Sequence, residues 1–141
     1  TVMERGGEIT TIEVDKKRHE AACRFFEASP YRTQIKALCG DGTTLLDDLT
    51  GPWDFVFLDG PKGQYVRQLQ KIMPHLTKGA IIMADNLRYH GMIYIEGALP
   101  HKHRTAITRL REFLAILYDY HHFDTVFFEN GDGLTVSRWK G

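Results

Sequence analysis

The stretch from Trp53 to Asn86 limits what this chain can fold into more than any other segment, because it reads as strand, tight turn, helix and strand. Asp54-Phe55-Val56-Phe57-Leu58-Asp59 is a short apolar run closed by an acid, and Gly60-Pro61 turns the chain directly into Lys62. Gly79-Ala80-Ile81-Ile82-Met83-Ala84-Asp85-Asn86 repeats that grammar, an apolar run expected to be buried on both faces and ending in Asp and Asn. Between them, Tyr65, Val66, Leu69, Ile72, Met73 and Leu76 recur at helical spacing from Lys62 to Leu76. Such a unit is a parallel crossover with its helix packed on the sheet. Open α/β sheets bind ligands in the crevice outside the carboxyl ends of their strands, which is where Asp59, Asp85 and Asn86 fall. Two carboxylates and an amide oxygen form a hard donor set, suited to Mg²⁺ and unsuited to soft metals.

The flanking segments extend the same alternation. Glu8 to Val14 is β-branched and short, a strand with Glu13 near its carboxyl end, and Asp15 then caps a helix that runs to about Ser29. Its inner side is expected to carry Ala21, Ala22, Phe25, Phe26 and Ala28, and Ser29-Pro30 ends it. Thr33 to Leu38 is a strand closed by Gly40-Asp41-Gly42, and Thr43 to Leu49 a short helix. Leu87 to His103 reads as a loop or lid, and Arg104 to Tyr120 as a helix packed through Ile107, Leu110, Leu114 and Leu117. Phe123 to Phe128 and Leu134 to Trp139 are strands joined by Glu129-Asn130-Gly131-Asp132-Gly133, a hairpin signal. The order βαβαβαβαββ predicts an α/β fold with a mainly parallel sheet and a C-terminal antiparallel hairpin. Thr1 to Gly7 reads as the tail of a helix with its glycine end.

Composition narrows the class. The 141 residues suit one domain, and 18 basic residues balance 18 acidic ones, so no net field draws the molecule to nucleic acid or membrane. Cys23 and Cys39 have no metal spacing and form no disulfide framework, which points to reduced thiols and a cytoplasmic protein. No apolar run reaches the roughly 18 residues of a membrane span.

Thr11-Ile12-Glu13-Val14-Asp15, Gly40-Asp41-Gly42, Phe57-Leu58-Asp59-Gly60-Pro61-Lys62, Asp85-Asn86 and Gly131-Asp132-Gly133-Leu134 occur in that order. In this set the chain resembles the class I S-adenosylmethionine-dependent O-methyltransferases of the catechol and caffeoyl-CoA type, over Gly7 to Gly141. The resemblance implies a Rossmann-like methyltransferase sheet. It implies S-adenosylmethionine at Glu13, Gly40, Asp41, Gly42 and Asp59, with Glu13 on the ribose and Asp41 by the adenine. It implies a divalent cation, Mg²⁺, on Asp59, Asp85 and Asn86, and Lys62 as the general base. Gly63-Gln64-Tyr65 and Glu129 to Leu134 look most like the bacterial tRNA 5-hydroxyuridine methyltransferases, which implies a tRNA acceptor; a small catechol-like phenol is the alternative. Members of the family are often dimers. The family's first strand and its glycine-rich cofactor loop have no counterpart here, so the chain is expected to be the C-terminal portion of a single methyltransferase domain, inactive by itself. A remnant or a binding partner of another subunit is the non-enzymatic alternative.

Each of these residues also has a plainer use. An acid at a strand end often caps a helix or forms a turn, which applies to Asp59, Glu13 and Asp41 taken singly. Asn86 alone suits a left-handed turn. Lys62 alone is a solvated helix start, although a cation there opposes the helix dipole. An NAD-dependent oxidoreductase also places an acid after its second strand, but hydride transfer has no use for the Asp59, Lys62, Asp85 and Asn86 set. Lys102, Arg104, Arg109 and Arg111 form a basic patch with no acid before Glu112, which serves either RNA phosphates or a solvated helix face.

Overall fold

A computed structural model describes residues 3–141. Met3–Arg5 is a short 3-10 turn ended by Gly6 at φ 77°, and the rest of the expected helix tail, Thr1 and Val2, lies outside the described residues. The chain divides into two compact units, Thr1–Asp48 and Leu49–Gly141.

In the first unit, β1 (Ile9–Glu13) pairs in parallel with β2 (Ile35–Cys39), bringing Glu13 opposite Cys39. The crossover between them is α1 (Lys16–Glu27), and β2 leads into α2 (Gly42–Leu45). The half-buried stripe of α1 is His19, Ala22, Cys23 and Phe26, with the expected Ala21 also half-buried beside it. That stripe corrects the expected inner face: Phe25 is 78% exposed, because it stands one residue, and so about 100° of helix, away from the Ala22–Phe26 row.

The second unit is a four-stranded sheet in the order β3 (Trp53–Leu58), β4 (Leu76–Ala84), β6 (Leu134–Trp139), β5 (Phe123–Phe128). β3 and β4 are parallel, whereas β6 runs antiparallel to both β4 and β5. The hairpin forms as its glycine-rich turn predicts, with β6 inserted between β4 and β5. α3 (Tyr65–Ile72) links β3 to β4, flanked by 3-10 turns at Lys62–Gln64 and Met73–His75. Leu76, expected at the helix end, opens β4 instead, since Pro74 in the last turn closes the helical path. α4 (Arg104–Leu117) precedes β5.

Register sorts this sheet into two faces. One carries Leu58, Ala80, Ile82, Ala84, Thr135 and Ser137, all buried, and α3 and α4 supply Tyr65, Leu69, Ile107, Leu110, Phe113 and Leu117 at 0% exposure. Phe113 takes the place expected of Leu114. The opposite face carries Phe55 and Phe57 on β3, each a little over half exposed, with Val126 and Phe128 on β5. β3 and β4 are therefore buried on one face, not both, because the helices of this unit lie on one side only. Phe128 is a surface residue for the same reason. No described helix is long and apolar enough to cross a membrane.

The segment after β4 is anchored. Leu87 is fully buried and Ile93 nearly so, and a 3-10 turn spans Met92–Tyr94. Arg111 on α4 donates to the carbonyls of Ile93 and Ile95, so the expected loop or lid is tied to the helix and Arg111 is spent on these carbonyls.

Candidate active site

Parallel pairing places the carboxyl ends of β3 and β4 side by side. Leu58 pairs with Ala84, and the amide of Asp85 then donates to the Leu58 carbonyl at 3.1 Å. Asp59 and Asp85 follow these positions directly, so two carboxylates leave the sheet at one place. Pro61 caps the 3-10 turn that begins at Lys62, without a side-chain cap bond, so Asp59 is not spent as the helix cap that its position alone allowed.

Lys62 is the centre of the cluster. Its side chain is 12% exposed, and Nζ donates to Tyr65 Oη at 2.7 Å, to the Asp85 carbonyl at 2.9 Å and to Asn86 Oδ1 at 3.4 Å. Asp59 Oδ1 lies 3.7 Å away. Burial lowers the lysine pKa below its ordinary range, against the raising pull of the Asp59, Asp85 and Asp132 carboxylates. Tyr65 is fully buried, and its hydroxyl donates to the Leu58 carbonyl at 2.9 Å; desolvation, with Asp59 and Asp85 behind it, raises its pKa far above the usual range, so it stays protonated.

The backbone beyond β4 is strained. Asn86, Tyr89 and His90 have φ of 57°, 49° and 56°. Non-glycine residues in this region cost on the order of 1–3 kcal/mol each and persist only where the surroundings fix them. Here the hairpin turn fixes them. Leu87 N donates to the Gly133 carbonyl, Arg88 N to that of Asp132 at 2.7 Å, and His90 N to Asp132 Oδ1 at 2.7 Å. Gly133 has φ +84°, and a Cβ on it would stand 2.6 Å from Arg88 Cγ and 2.8 Å from Phe127 Cζ, so no other residue fits. Asn86 has the left-handed backbone its residue type allows, and its Oδ1 also faces the lysine. The turn and ligand readings of Asn86 are thus compatible.

The Asp59 carboxylate, the Asp85 main-chain carbonyl and the Asn86 amide oxygen converge on the Lys62 amine, while the Asp85 carboxylate accepts from the Asn86 amide at 2.7 Å. Among the described residues no group of three or more His, Cys, Asp or Glu side chains is gathered for a metal, so a cation here depends on the Asn86 oxygen as its third ligand. The donors are hard, as Mg²⁺ requires.

The expected cofactor residues lie in the first unit at the ends of β1 and β2, where the Gly40 amide donates to the Glu13 carbonyl. Glu13 Oε1 accepts from the Asp15 amide at 2.7 Å, while Oε2 stands 3.6 Å from Arg18 Nε. Asp15 Oδ1 accepts from the Arg18 amide as the predicted cap of α1. Asp41 caps α2 by accepting from the amide and hydroxyl of Thr44, with Gly42 as the first residue of that helix.

Two participants escaped the sequence reading. Tyr65, expected at the packed helical spacing, is core with its hydroxyl on the lysine; the Lys62–Tyr65 spacing of three, one helical turn, was the available signal. Asp132 was read as a hairpin-turn residue, and it also anchors His90 and acts electrostatically on Lys62. The basic patch shrinks to Lys102 and Arg104, since Arg109 pairs with Glu112 at 2.6 Å and Arg111 holds the Ile93–Ile95 carbonyls.

Residues 2–140 match the family model for O-methyltransferases. The chain is 28% identical over 142 residues to a caffeoyl-CoA O-methyltransferase of Stellaria longipes and 30% identical over 137 residues to tapetum-specific methyltransferase 1 of Arabidopsis thaliana. Each alignment covers 94% of this chain but only 58% and 59% of those relatives. Among solved structures, the SAH-bound methyltransferase PaMTH1 of Podospora anserina superimposes with a TM-score of 0.77 at 26% identity, covering 95% of this chain and 61% of that one. Matched to that family model over residues 2–140, the chain belongs to the O-methyltransferase family.

Proposed function

We propose that this protein takes part in transferring a methyl group from S-adenosylmethionine to a hydroxyl oxygen, with Lys62 as general base and Mg²⁺ held by Asp59, Asp85 and Asn86. The observation that carries the reading is the convergence of the Asp59 carboxylate, the Asp85 main-chain carbonyl and the Asn86 amide oxygen on the largely buried Lys62 amine at adjacent strand ends. Burial favours the neutral amine, so Lys62 is set to accept a proton at a lower pH than a free lysine. The cation, when bound, would supply the Lewis acidity that favours an oxyanion on the acceptor. Lys62 Nζ keeps the proton that the acceptor oxygen loses as that oxygen takes the methyl from the sulfonium. Glu13, through Oε2, is assigned to the ribose of the methyl donor, and Gly40-Asp41-Gly42 to the adenine side. The free thiols Cys23 and Cys39 support a reducing, cytoplasmic setting.

For the acceptor, we infer a small catechol-like phenol, supported by the caffeoyl-CoA O-methyltransferase relative and by the balanced charge. A tRNA 5-hydroxyuridine acceptor is the second reading, and the exposed pair Lys102 and Arg104 favours it.

The test is methyl transfer from labelled S-adenosylmethionine to a catechol and to hydroxyuridine-containing tRNA, with Mg²⁺ or with a chelator. It is run on the 141-residue chain and on a polypeptide extended through the upstream coding region. Chelator-sensitive transfer to the catechol supports the first acceptor, and transfer to tRNA alone selects the second. Transfer to neither, by either polypeptide, overturns the methyltransferase reading.

A further inference from the structure

We infer that the Tyr65 hydroxyl is the positioning group that holds the Lys62 amine against the ends of β3 and β4, an inference that rests on reading Lys62 as the residue facing the acceptor. A lysine amine ends a flexible four-carbon stem, and nothing in that stem selects one place for it. The tyrosine has no such freedom. Its ring is fully buried and packs edge-on against Phe113, with centroids 5.2 Å apart and planes at 61°. The hydroxyl's one proton goes to the Leu58 carbonyl at 2.9 Å, which leaves its lone pairs to accept from Lys62 Nζ at 2.7 Å.

The carbonyl it uses is the decisive detail. Leu58 O also accepts from the Asp85 amide, so the hydroxyl is tied to the bond that joins the two strand ends, one residue before Asp59. Lys62 itself donates to the Asp85 carbonyl at 2.9 Å. Hydroxyl, amine and the two carbonyls therefore form a closed set of bonds between a core ring and the sheet. Without the hydroxyl, the amine keeps the Asp85 carbonyl and the weaker 3.4 Å approach to Asn86, and gains freedom to swing toward Asp59, which is 56% exposed. Tyr65→Phe is a clean probe because it keeps the ring, the Phe113 contact and the 4.8 Å stacking of Nζ over the ring, and removes one oxygen.

The first readout needs no catalysis: brief amine acetylation below saturation, with peptide mass spectrometry comparing Lys62 with Lys16, whose side chain is 82% exposed. In Tyr65→Phe, Lys62 labelling is expected to rise several-fold relative to Lys16. An unchanged ratio in the folded variant overturns the inference. Should Tyr65→Phe not fold, 4-aminophenylalanine at the position keeps a donor for Leu58 O while offering the amine a poor acceptor, and the same ratio decides.

The second readout is kinetic. In the active methyltransferase, loss of the hydroxyl is expected to lower kcat by roughly tenfold with KM for the acceptor unchanged, as misplacement of a reacting group does. A residue that merely packed would lower thermal stability and leave kcat intact, and that result overturns the assignment. If the unaltered protein transfers no methyl group, the functional reading fails and the labelling ratio still judges Tyr65.

Discussion

The acids at the strand ends of the two units differ in what they hold. In residues 1–48, Asp15 and Asp41 each accept from the amide three residues on, and Glu13 accepts from the amide of Asp15. In residues 49–141, Asp59 faces the Lys62 amine at 3.7 Å, and the Asp85 carboxylate takes only the amide of its neighbour Asn86. The first group is largely spent on its own backbone, where a cap contributes about 1 kcal/mol to stability. The second lies beside the largely buried Lys62 amine.

That contrast is open to direct attack. The largest effect expected is at the amine: Lys62→Ala should lower methyl transfer by roughly a hundredfold or more, the range for removing a general base. Single-turnover transfer checks it, and an unchanged rate removes the lysine from the mechanism. Next comes the support of the strained segment. Gly133→Ala must push Arg88 and Phe127 aside and adopt a disfavoured φ, so a loss on the order of 1–3 kcal/mol is expected in urea unfolding. Asp15→Ala, a pure cap, should cost about 1 kcal/mol by the same measurement and leave divalent-cation binding at the other unit untouched.

The smallest effect belongs to Asp124, whose carboxyl pKa is held below its usual 3.8 first by a hydrogen bond from Arg138 and then by Lys140. The folded state therefore binds fewer protons there than the unfolded chain. The stabilisation is complete above the unfolded value and disappears as pH falls through the folded one. The group is fully exposed, so Asp124→Asn should shift the melting temperature slightly at neutral pH, less in high salt, and not at all well below the carboxylate range.

Much of this was legible in the residues. Apolar runs closed by Asp, Gly and Pro located β3, β4 and the hairpin, because their patterns depend on local turns and a shared core. The α1 face was misjudged, since Phe25 and Phe26 are equally apolar and only the sheet beneath decides which turns inward. Phe55 and Phe57 alternate with Val56 and Leu58 as any strand's side chains do, and a run that is apolar on both faces gives no sign of which one the helices cover. At the site, the spacing of Asp59, Lys62, Asp85 and Asn86 was sufficient to predict a cluster, because parallel strands must end together. The Tyr65 hydroxyl and the strained Tyr89 and His90 were not legible. Both depend on tertiary partners, the strand-end carbonyls of Leu58 and Asp85 for the hydroxyl and Asp132 for the His90 amide. Arg111 looked like part of a basic surface for the same reason, its carbonyl partners being 16 and 18 residues away.

The most direct test of the central claim, that Asp59, Asp85 and Asn86 form an oxygen site for a divalent cation beside Lys62, is titration of the protein with Mn²⁺ as a paramagnetic stand-in for Mg²⁺. Free ion is followed by electron paramagnetic resonance in the unaltered protein and in the Asp59→Asn/Asp85→Asn variant. The unaltered protein is expected to remove free Mn²⁺ in a saturable way, and the double variant is not. Equal binding by both, or none by either, would contradict the claim.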